Sequence, residues 1–219
     1  MIRFEDVSKE YHKGDTIVQA LDGVTFEVEQ GQLALVRGPS GSGKTTLINL
    51  AAGLSHATQG SITIAGACID RLSLKERAAL RARNVAVVFQ LFHLVPYLSA
   101  LENVLLPTLA DTDNAGALDR AQSLLGELGL EARRNHYPDE MSAGERQRCA
   151  LARALMNSPS VILADEPTGN LDPASAETVL AHLDGARKRG ASVLLVSHQP
   201  IDSIHPDQVF ELREGKLAS

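Results

Sequence analysis

Eight consecutive residues have the types and spacing of a loop that binds phosphate: Gly38, Pro39, Ser40, Gly41, Ser42, Gly43, Lys44 and Thr45, with Thr46 directly after them. Glycines let consecutive backbone N–H groups turn toward one centre, and a helix that begins there adds the positive end of its dipole. The Lys44 ammonium would then neutralise the β- and γ-phosphates, and the Thr45 hydroxyl would ligate Mg²⁺. An apolar run at 33–36 and a helical pattern at 44–52 flank this phosphate loop. The segment therefore predicts a nucleoside triphosphate site and disfavours an ordinary glycine-serine turn.

Two carboxylates, Asp165 and Glu166, end a second apolar run at 161–164. Acidic residues directly after a buried strand are costly unless a cation or solvent meets them. Asp165 would hold Mg²⁺ through its water shell, and Glu166 would polarise the water that attacks the γ-phosphate. Pro167 favours an extended backbone at Glu166. A strand that ends in a solvated acidic turn is the alternative for this segment taken alone.

Residues 141–148 read Met-Ser-Ala-Gly-Glu-Arg-Gln-Arg and predict the start of a helix. Ser142 and Glu145 have the spacing of a capping box, in which each side chain accepts a hydrogen bond from the backbone N–H of the other residue. A second interpretation is an anion site at the helix N-terminus, built from Ser142, Ala143 and Gly144. The spacing alone leaves both interpretations open.

With these motifs in this order, the whole chain resembles the ATP-binding subunits of ABC transporters. The family signature, Leu-Ser-Gly-Gly-Gln or -Glu, is similar to Met-Ser-Ala-Gly-Glu at 141–145. The resemblance implies roles for four further residues: Tyr11 stacks on adenine, Gln90 touches Mg²⁺ and couples to a membrane subunit, Asp172 contacts a partner subunit, and His198 is the switch histidine. Asp172 also fits a helix N-cap, because Pro173 follows it.

The complete site implied by the resemblance has Glu166 and His198 as its catalytic residues. Thr45, Gln90 and Asp165 would ligate the metal, and Tyr11, Asp172 and the residues Ser142, Ala143, Gly144 and Glu145 would contact nucleotide. Two positions depart from the family pattern. Ala143 adds a methyl group where backbone should approach the γ-phosphate, and we expect nucleotide binding there to survive. Gln199 follows His198 where the family usually has an acid.

The segments 89–104 and 163–172 look like the lipoprotein-releasing, macrolide-exporter and cell-division ATPases of this family. That resemblance implies ATP and Mg²⁺ as cofactors, and a homodimer in which each signature closes over the nucleotide of the other chain. It also implies permease subunits in the membrane, which would hold the chain at the cytoplasmic face of the inner membrane. The work done would be export, lipoprotein release or transmembrane mechanotransmission. A cell-division-type regulator of wall hydrolases is the alternative.

For two further segments, the sequence leaves two interpretations open. One is a set of apolar and aromatic residues that would line a groove for the permease or form core of the helical region: Leu91, Phe92, Leu94, Val95 and Tyr97. The other is the basic stretch 71–83, which indicates a solvated helix face or, as the second interpretation, a contact with lipid headgroups.

Composition excludes other classes of function. The chain has 219 residues and a net charge of −6, and aromatic residues make up 4% of it, which disfavours nucleic acid as a partner. A DNA-maintenance ATPase would need a long coiled coil, and the roughly 100 residues between the phosphate loop and the signature carry no heptads. The signature, Asp172 and His198 together disfavour a phosphotransferase acting on a small metabolite.

Cys68 and Cys149 have no metal-binding spacing and are expected to be buried apolar residues of a reducing compartment.

The apolar patterns predict the elements that carry these residues. Strands are expected at 2–7, 24–28, 33–36, 61–64, 85–89, 161–164 and 193–196, with a β pair in 207–219. A helical pattern at 99–158 and a helix from Pro173 complete the set.

We expect one α/β ATP-binding domain over 1–219, whose core is a P-loop NTPase fold of mostly parallel sheet with helices. An N-terminal antiparallel β-subdomain and a helical subdomain at roughly 90–158 would be added to that core. No stretch is apolar enough to span a membrane, and we expect a partner to supply that function.

Overall fold

The computed structural model describes residues 1–14, 16–110, 115–198, 201 and 203–218. Within these residues, ten strands lie in two sheets: β1 Ile2–Lys13, β2 Thr16–Val28, β3 Leu33–Arg37, β4 Gln59–Ile64, β5 Ala67–Cys68, β6 Val85–Val88, β7 Val161–Asp165, β8 Ser192–Ser197, β9 Gln208–Arg213 and β10 Lys216–Ala218. The α-helices are α1 Lys44–Ala51, α2 Leu74–Asn84, α3 Ala100–Leu105, α4 Ala117–Glu127, α5 Ala143–Leu155 and α6 Pro173–Lys188. Short 3₁₀ helices cover Ile69–Arg71, Leu106–Ala110, Glu131–Arg133 and Pro138–Glu140. The predicted α/β class with an antiparallel subdomain and a helical insert is confirmed.

The two sheets differ in strand direction. The first has the order β2-β1-β4-β5 and is antiparallel throughout. The second has the order β10-β9-β3-β8-β7-β6, in which five neighbouring strands are parallel and only β10 is antiparallel. Because the carboxyl ends of β3, β7 and β8 lie at one edge, the loops that follow them meet there.

The parallel strands are buried on both faces and support two apolar cores. Leu33 and Leu35 of β3 face a core shared with α3, α4, α5 and α6, whereas Ala34 and Val36 face a core shared with α1 and the antiparallel sheet. The same alternation continues along β7 and β8. This burial explains why these strands read as continuous apolar runs in the sequence.

Helix caps explain where the helices begin. The side chains of Ser73, Ser99 and Ser142 form capping boxes at the N-termini of α2, α3 and α5. Asp172 caps α6 through its side chain, which accepts from the Ser175 N–H at 3.0 Å. Each cap satisfies backbone donors that a helix N-terminus leaves unpaired.

The prediction of a solvated basic helix over 71–83 is only partly right. The helix exists as α2, but Arg77 is 4% exposed and lies against Gly53, and Arg81 donates to the Gly53 carbonyl at 3.1 Å. The carbonyl groups that follow α1 attract these cations inward, because a helix C-terminus is the negative end of its dipole.

Two other expectations from the sequence hold for some of their residues and not for others. Leu91 and Tyr97 are 72% and 85% exposed, whereas Leu94 packs against the core of the helical region. Cys149 is buried, and burial raises the pKa of its thiol to about 12, whereas Cys68 is only half-buried. Among the described residues, no helix combines the length and the apolar character that crossing a bilayer requires.

Candidate functional site

The phosphate loop connects β3 to α1 and packs tightly against β2 and β9. A Cβ atom on Gly38 would overlap the Leu212 carbonyl, and one on Gly43 would overlap the Ala20 carbonyl. Gly43 also has a φ of 107°, which L side chains rarely adopt. Glycine is therefore required at both positions by close backbone approach.

Lys44 lies inside the ring that the phosphate loop forms. Its ammonium donates to the carbonyls of Gly38 at 2.7 Å and Pro39 at 2.9 Å, and its side chain is 6% exposed. The Nζ atom is 4.0 Å from Glu166 Oε1. A buried ammonium held by two carbonyls and one carboxylate has lost part of its hydration and is available to a phosphate.

A cleft of about 340 Å³ opens beside the loop. Its walls come from the phosphate loop, α1, β2 and the end of β7: Val18, Gln19, Ala20, Ser40, Gly41, Gly43, Lys44, Thr45, Thr46 and Glu166. The Ser42 hydroxyl is buried in the same loop without a hydrogen-bond partner among the described residues. Concavity, a cation and free donors are the properties of an anion-binding cleft.

Asp165 ends β7 beside Thr45, whose hydroxyl favours the charged form of the Asp165 carboxylate. Burial raises the pKa of Asp165, while Thr45 and the Lys44 charge oppose the shift and the Glu166 charge adds to it. A hydroxyl and a carboxylate side by side are oxygen ligands of the kind that Mg²⁺ accepts. The residues present therefore fit a magnesium ion at this point.

Glu166 has a backbone conformation that the sequence did not predict. Its φ is 46°, so the expectation of an extended backbone before Pro167 is wrong. Its N–H donates to the Val196 carbonyl of β8 at 3.0 Å, and this bond to the neighbouring strand holds the strained residue in place. The turn aims the carboxylate at His198, whose Nδ1 is 2.7 Å from Glu166 Oε2. Gln199, the second departure from the family pattern, lies outside the described residues.

Gln90 and Tyr11 lie at two sides of this centre. The Gln90 amide borders Gly169, where a Cβ atom would be 3.4 Å from Gln90 Nε2 and 3.8 Å from Glu166 Oε2. Tyr11 pairs with Val18 of the cleft wall, and Lys9 Nζ is 4.9 Å from its ring centroid. The roles of Gln90 at the metal and of Tyr11 at adenine stay predictions.

The signature residues lie elsewhere, at the N-terminus of α5. The capping box is confirmed: Ser142 Oγ accepts from the Glu145 N–H at 3.2 Å, and Glu145 Oε2 accepts from the Ser142 N–H at 2.7 Å. Gly144 packs against Ser175, one turn after the Asp172 cap of α6. Within the part of the chain that the structure describes, neither Ala143 nor these residues line the cleft. The chain thus brings the signature and Asp172 together, away from its own phosphate loop.

Sequence reasoning missed the side chains of α5 that join these parts. Arg153 donates to the carbonyls of Phe92 at 2.9 Å and His93 at 2.6 Å, two residues with φ values of 60° and 48°. Gln147 Nε2 donates to the Pro167 carbonyl at 2.8 Å. Gln147 lies in the signature segment 141–148 without a role assigned to it, and Arg153 belongs to no motif; a polar side chain at a buried helix position was the available signal.

Comparison with known proteins gives a consistent match. The model of the family described as ABC transporter matches residues 21–169. An ABC transporter ATP-binding protein of Methanocaldococcus jannaschii, itself uncharacterized, is 40% identical over 99% of this chain and 97% of its own length. A macrolide export ATP-binding/permease protein of Bradyrhizobium diazoefficiens is 41% identical over the whole chain, and the matching protein of Escherichia coli K12 is 40% identical. The chain spans about a third, 34%, of the length of these two macrolide export proteins.

Solved structures agree with these sequence matches. The cassette MJ0796, solved as a dimer in a post-hydrolysis state with ADP and Pi, superposes with a TM-score of 0.92 at 32% identity. A second dimeric structure of the same cassette, described as a bacterial ABC transporter cassette, gives the same TM-score at 34% identity. Each comparison covers 100% of this chain and 97% of the other.

Proposed function

The chain belongs to the ABC transporter family, and on that premise we propose that it is the ATP-hydrolysing subunit of a membrane complex, in which ATP-driven closure of a dimer works on permease subunits. The observation that carries the proposal is the chain of contacts from Lys44 to Glu166 to His198 beside the cleft, at 4.0 Å and 2.7 Å. Nucleophile activation, charge neutralisation and phosphate binding are the functions that hydrolysis of ATP requires.

In this mechanism, the backbone N–H groups of the phosphate loop hold the β- and γ-phosphates of ATP. Lys44 leaves the carbonyls of Gly38 and Pro39 for the phosphate oxygens, so the free loop is already shaped around its cation. Glu166 accepts a proton from the attacking water, and His198 holds the glutamate carboxylate in orientation through Nδ1. The bond from β8 to the Glu166 N–H keeps this base fixed during turnover.

Thr45 and Asp165, with Gln90 nearby, are the residues that would hold Mg²⁺. The bound ion would supply positive charge to the phosphate oxygens as the terminal bond breaks. The raised pKa of Asp165 supports this assignment, because a buried carboxylate beside a second carboxylate gains most from a cation.

A second copy of this chain completes the site in the proposal. Ser142, Ala143, Gly144 and Asp172 are not cleft residues of their own chain, so another chain would have to bring them to the nucleotide. The dimeric state of the related MJ0796 cassette supports this arrangement. Closure would then depend on ATP, since the γ-phosphate would bridge the phosphate loop of one chain and the signature of the other.

A membrane permease is the second partner we propose, and it would hold the chain at the cytoplasmic face of the inner membrane. Two observations support it. The related macrolide export proteins are named as ATP-binding and permease in one, and Leu91 and Tyr97 expose apolar surface directly after Gln90. Gly169 borders both Gln90 and Glu166, and a permease contact at 91–97 would begin at the residue after Gln90.

Replacing Glu166 by Gln tests the catalytic assignment. The amide cannot accept the proton of water, so we expect the Mg²⁺-ATPase rate to fall by roughly 10²–10⁴-fold. Nucleotide affinity, measured by titration with a fluorescent ATP analogue, should stay within about twofold because the phosphate loop is unaltered. The control is Glu127→Gln on the exposed face of α4, which should retain the full rate. Near-normal turnover by the Glu166→Gln protein would contradict the proposal.

A further inference from the structure

The signature helix α5 has an ionised carboxylate at the end that would receive phosphate. Glu145 Oε2 lies 2.7 Å from the Ser142 N–H, at the N-terminus of the helix. The Arg133 hydrogen bond, followed by the bond from the Ser142 backbone, lowers the pKa of Glu145 to about 2. Glu145 is therefore charged at every physiological pH. A negative charge there competes with an incoming phosphate for the same helix terminus.

Arg133 neutralises this carboxylate. Its Nε donates to Glu145 Oε1 at 2.7 Å, and among the described residues this is the only ion pair that Glu145 forms. Capping and charge neutralisation are thus divided between the two carboxylate oxygens. Oε2 of Glu145 caps the helix, and the Arg133 guanidinium holds Oε1 of the same carboxylate.

The segment that carries Arg133 is itself fixed. The Arg134 carbonyl accepts from the Leu101 N–H and the His136 carbonyl from the Ala100 N–H, both at 2.9 Å, so the turn is held against the start of α3. Arg133 Nη1 lies 3.2 Å from His136 Nε2. Because a guanidinium only donates hydrogen bonds, this ring nitrogen accepts. Two contacts from one guanidinium hold it in a single orientation toward Glu145.

From these contacts we propose that Arg133 is a positioning residue for the signature. It cancels the Glu145 charge and fixes the capped end of α5, so that the N-terminus can receive the γ-phosphate held by a second copy of the chain. The inference rests on the proposed function, because it assumes that the signature meets the nucleotide of a partner. Arg133 belongs to none of the motifs that the sequence presents.

The test uses the full chain with Glu166→Gln, which binds ATP and hydrolyses it slowly. The dimer fraction is measured by analytical ultracentrifugation at increasing MgATP. Arg133→Ala should raise the MgATP concentration for half-dimerisation by about fivefold, the effect of one charge at a helix terminus. Arg133→Met, which keeps the apolar stem, should give the same result. The matched control is Arg134→Ala, since the exposed Arg134 side chain forms no ion pair among the described residues.

A second substitution separates charge from packing. In Arg133→Ala the Glu145 carboxylate has lost its ion pair. Adding Glu145→Gln should therefore bring the MgATP concentration for half-dimerisation to within about twofold of the value for the starting protein. A residue that only packs the turn would show no such rescue. Affinity for a fluorescent ATP analogue at protein concentrations that keep the chain monomeric should be unchanged in all variants, because Arg133 is not part of the cleft.

The outcomes distinguish the two proposals. If the Glu166→Gln protein does not dimerise with MgATP, the proposed function is wrong. If it dimerises and Arg133→Ala and Arg133→Met behave like Arg134→Ala, or Glu145→Gln gives no rescue, the proposed role of Arg133 is wrong. A rise of about fivefold in the MgATP concentration for half-dimerisation, reversed by Glu145→Gln, supports it.

Discussion

Asp165 combines a functional position with a cost to stability. Its carboxylate is half-buried at the end of β7, near a second carboxylate, the Thr45 hydroxyl and the Lys44 ammonium. Burial penalises the charged form, which is why its pKa is raised. In the proposed function this cost is offset when the carboxylate meets a magnesium ion.

Replacement of Asp165 by Asn should stabilise the nucleotide-free protein at neutral pH. A pKa raised in the folded state means that the unfolded chain ionises first, so the free energy of unfolding decreases as pH rises through the folded pKa. The Asn variant lacks this loss, and its melting temperature at pH 7 should be higher by about 2–4 °C per 1 kcal/mol gained.

Calorimetry at two pH values checks the sign. The advantage of the Asn variant should shrink near about pH 4, where Asp is half protonated even in the unfolded chain. The variant should at the same time lose Mg²⁺-dependent hydrolysis. A melting temperature below that of the parent protein at pH 7 would contradict the expected direction.

Residue types and order indicated Lys44 and Glu166, and the family resemblance added His198, but neither indicated how these side chains meet. The left-handed φ of Glu166 contradicts the rule for a residue before proline, because the bond to Val196 on β8 fixes its backbone. Such a bond joins segments 30 residues apart in the chain, and no local pattern reports it. The carbonyl contacts of Lys44 are equally invisible in the sequence.

At the scale of elements, α5 connects most parts of the site. Its N-terminus carries the signature, Gln147 contacts the Pro167 carbonyl directly after Asp165 and Glu166, and Arg153 holds the strained residues that follow Gln90. A shift of this helix would therefore reach all three segments together. Capping chemistry predicted where α5 begins, whereas its contacts with distant loops come from packing that a single sequence does not encode locally.

Packing between α5 and α6 leaves no space for a side chain at Gly144 of the signature. A Cβ atom on Gly144 would lie 2.5 Å from Ser175 Oγ and 3.2 Å from Ser175 Cβ. Gly144→Ala should push the helices apart, lower the melting temperature by about 2–4 °C for each 1 kcal/mol of overpacking, and weaken ATP-driven dimerisation.

Ala143→Gly is the matched control for this substitution. It removes the methyl group at the neighbouring signature position, and we expect turnover equal to or higher than that of the parent protein. Steady-state ATPase rates and thermal melts of both variants check the pair. A large loss of turnover in Ala143→Gly would mean that the methyl group contributes to the site.

At the scale of the whole molecule, the proposed catalytic and membrane-facing surfaces adjoin. Tyr97 is 85% exposed and lies in the segment between Gln90 and α3. The chain was predicted as an α/β protein from its apolar runs, because fully buried parallel strands are visible in a sequence. Which apolar residues stay exposed could not be predicted, since exposure depends on how α3 and α5 cover the segment.

Tyr97→Ser should reduce recruitment of the chain to a permease. The side chain is exposed, so its loss should not change the melting temperature, whereas an apolar aromatic anchor at an interface often contributes 2 kcal/mol or more, about 30-fold in affinity. The measurement is the fraction of tagged chain recovered with membranes of its own host cells. Leu118→Ser, at an exposed position of α4, is the control. Equal recovery of both variants would exclude Tyr97 from the docking surface.

The alternation of side chains along β3, β7 and β8 has a mechanical consequence. One face of this sheet supports the helices that carry the signature, and the other supports α1 and the antiparallel sheet beside the phosphate loop. Closely packed interiors deform little, so the sheet behaves as a fixed member. A rotation of the helices as a body would leave the phosphate loop and α1, on the other face, in place, and the sheet would be the fixed support about which the helices turn.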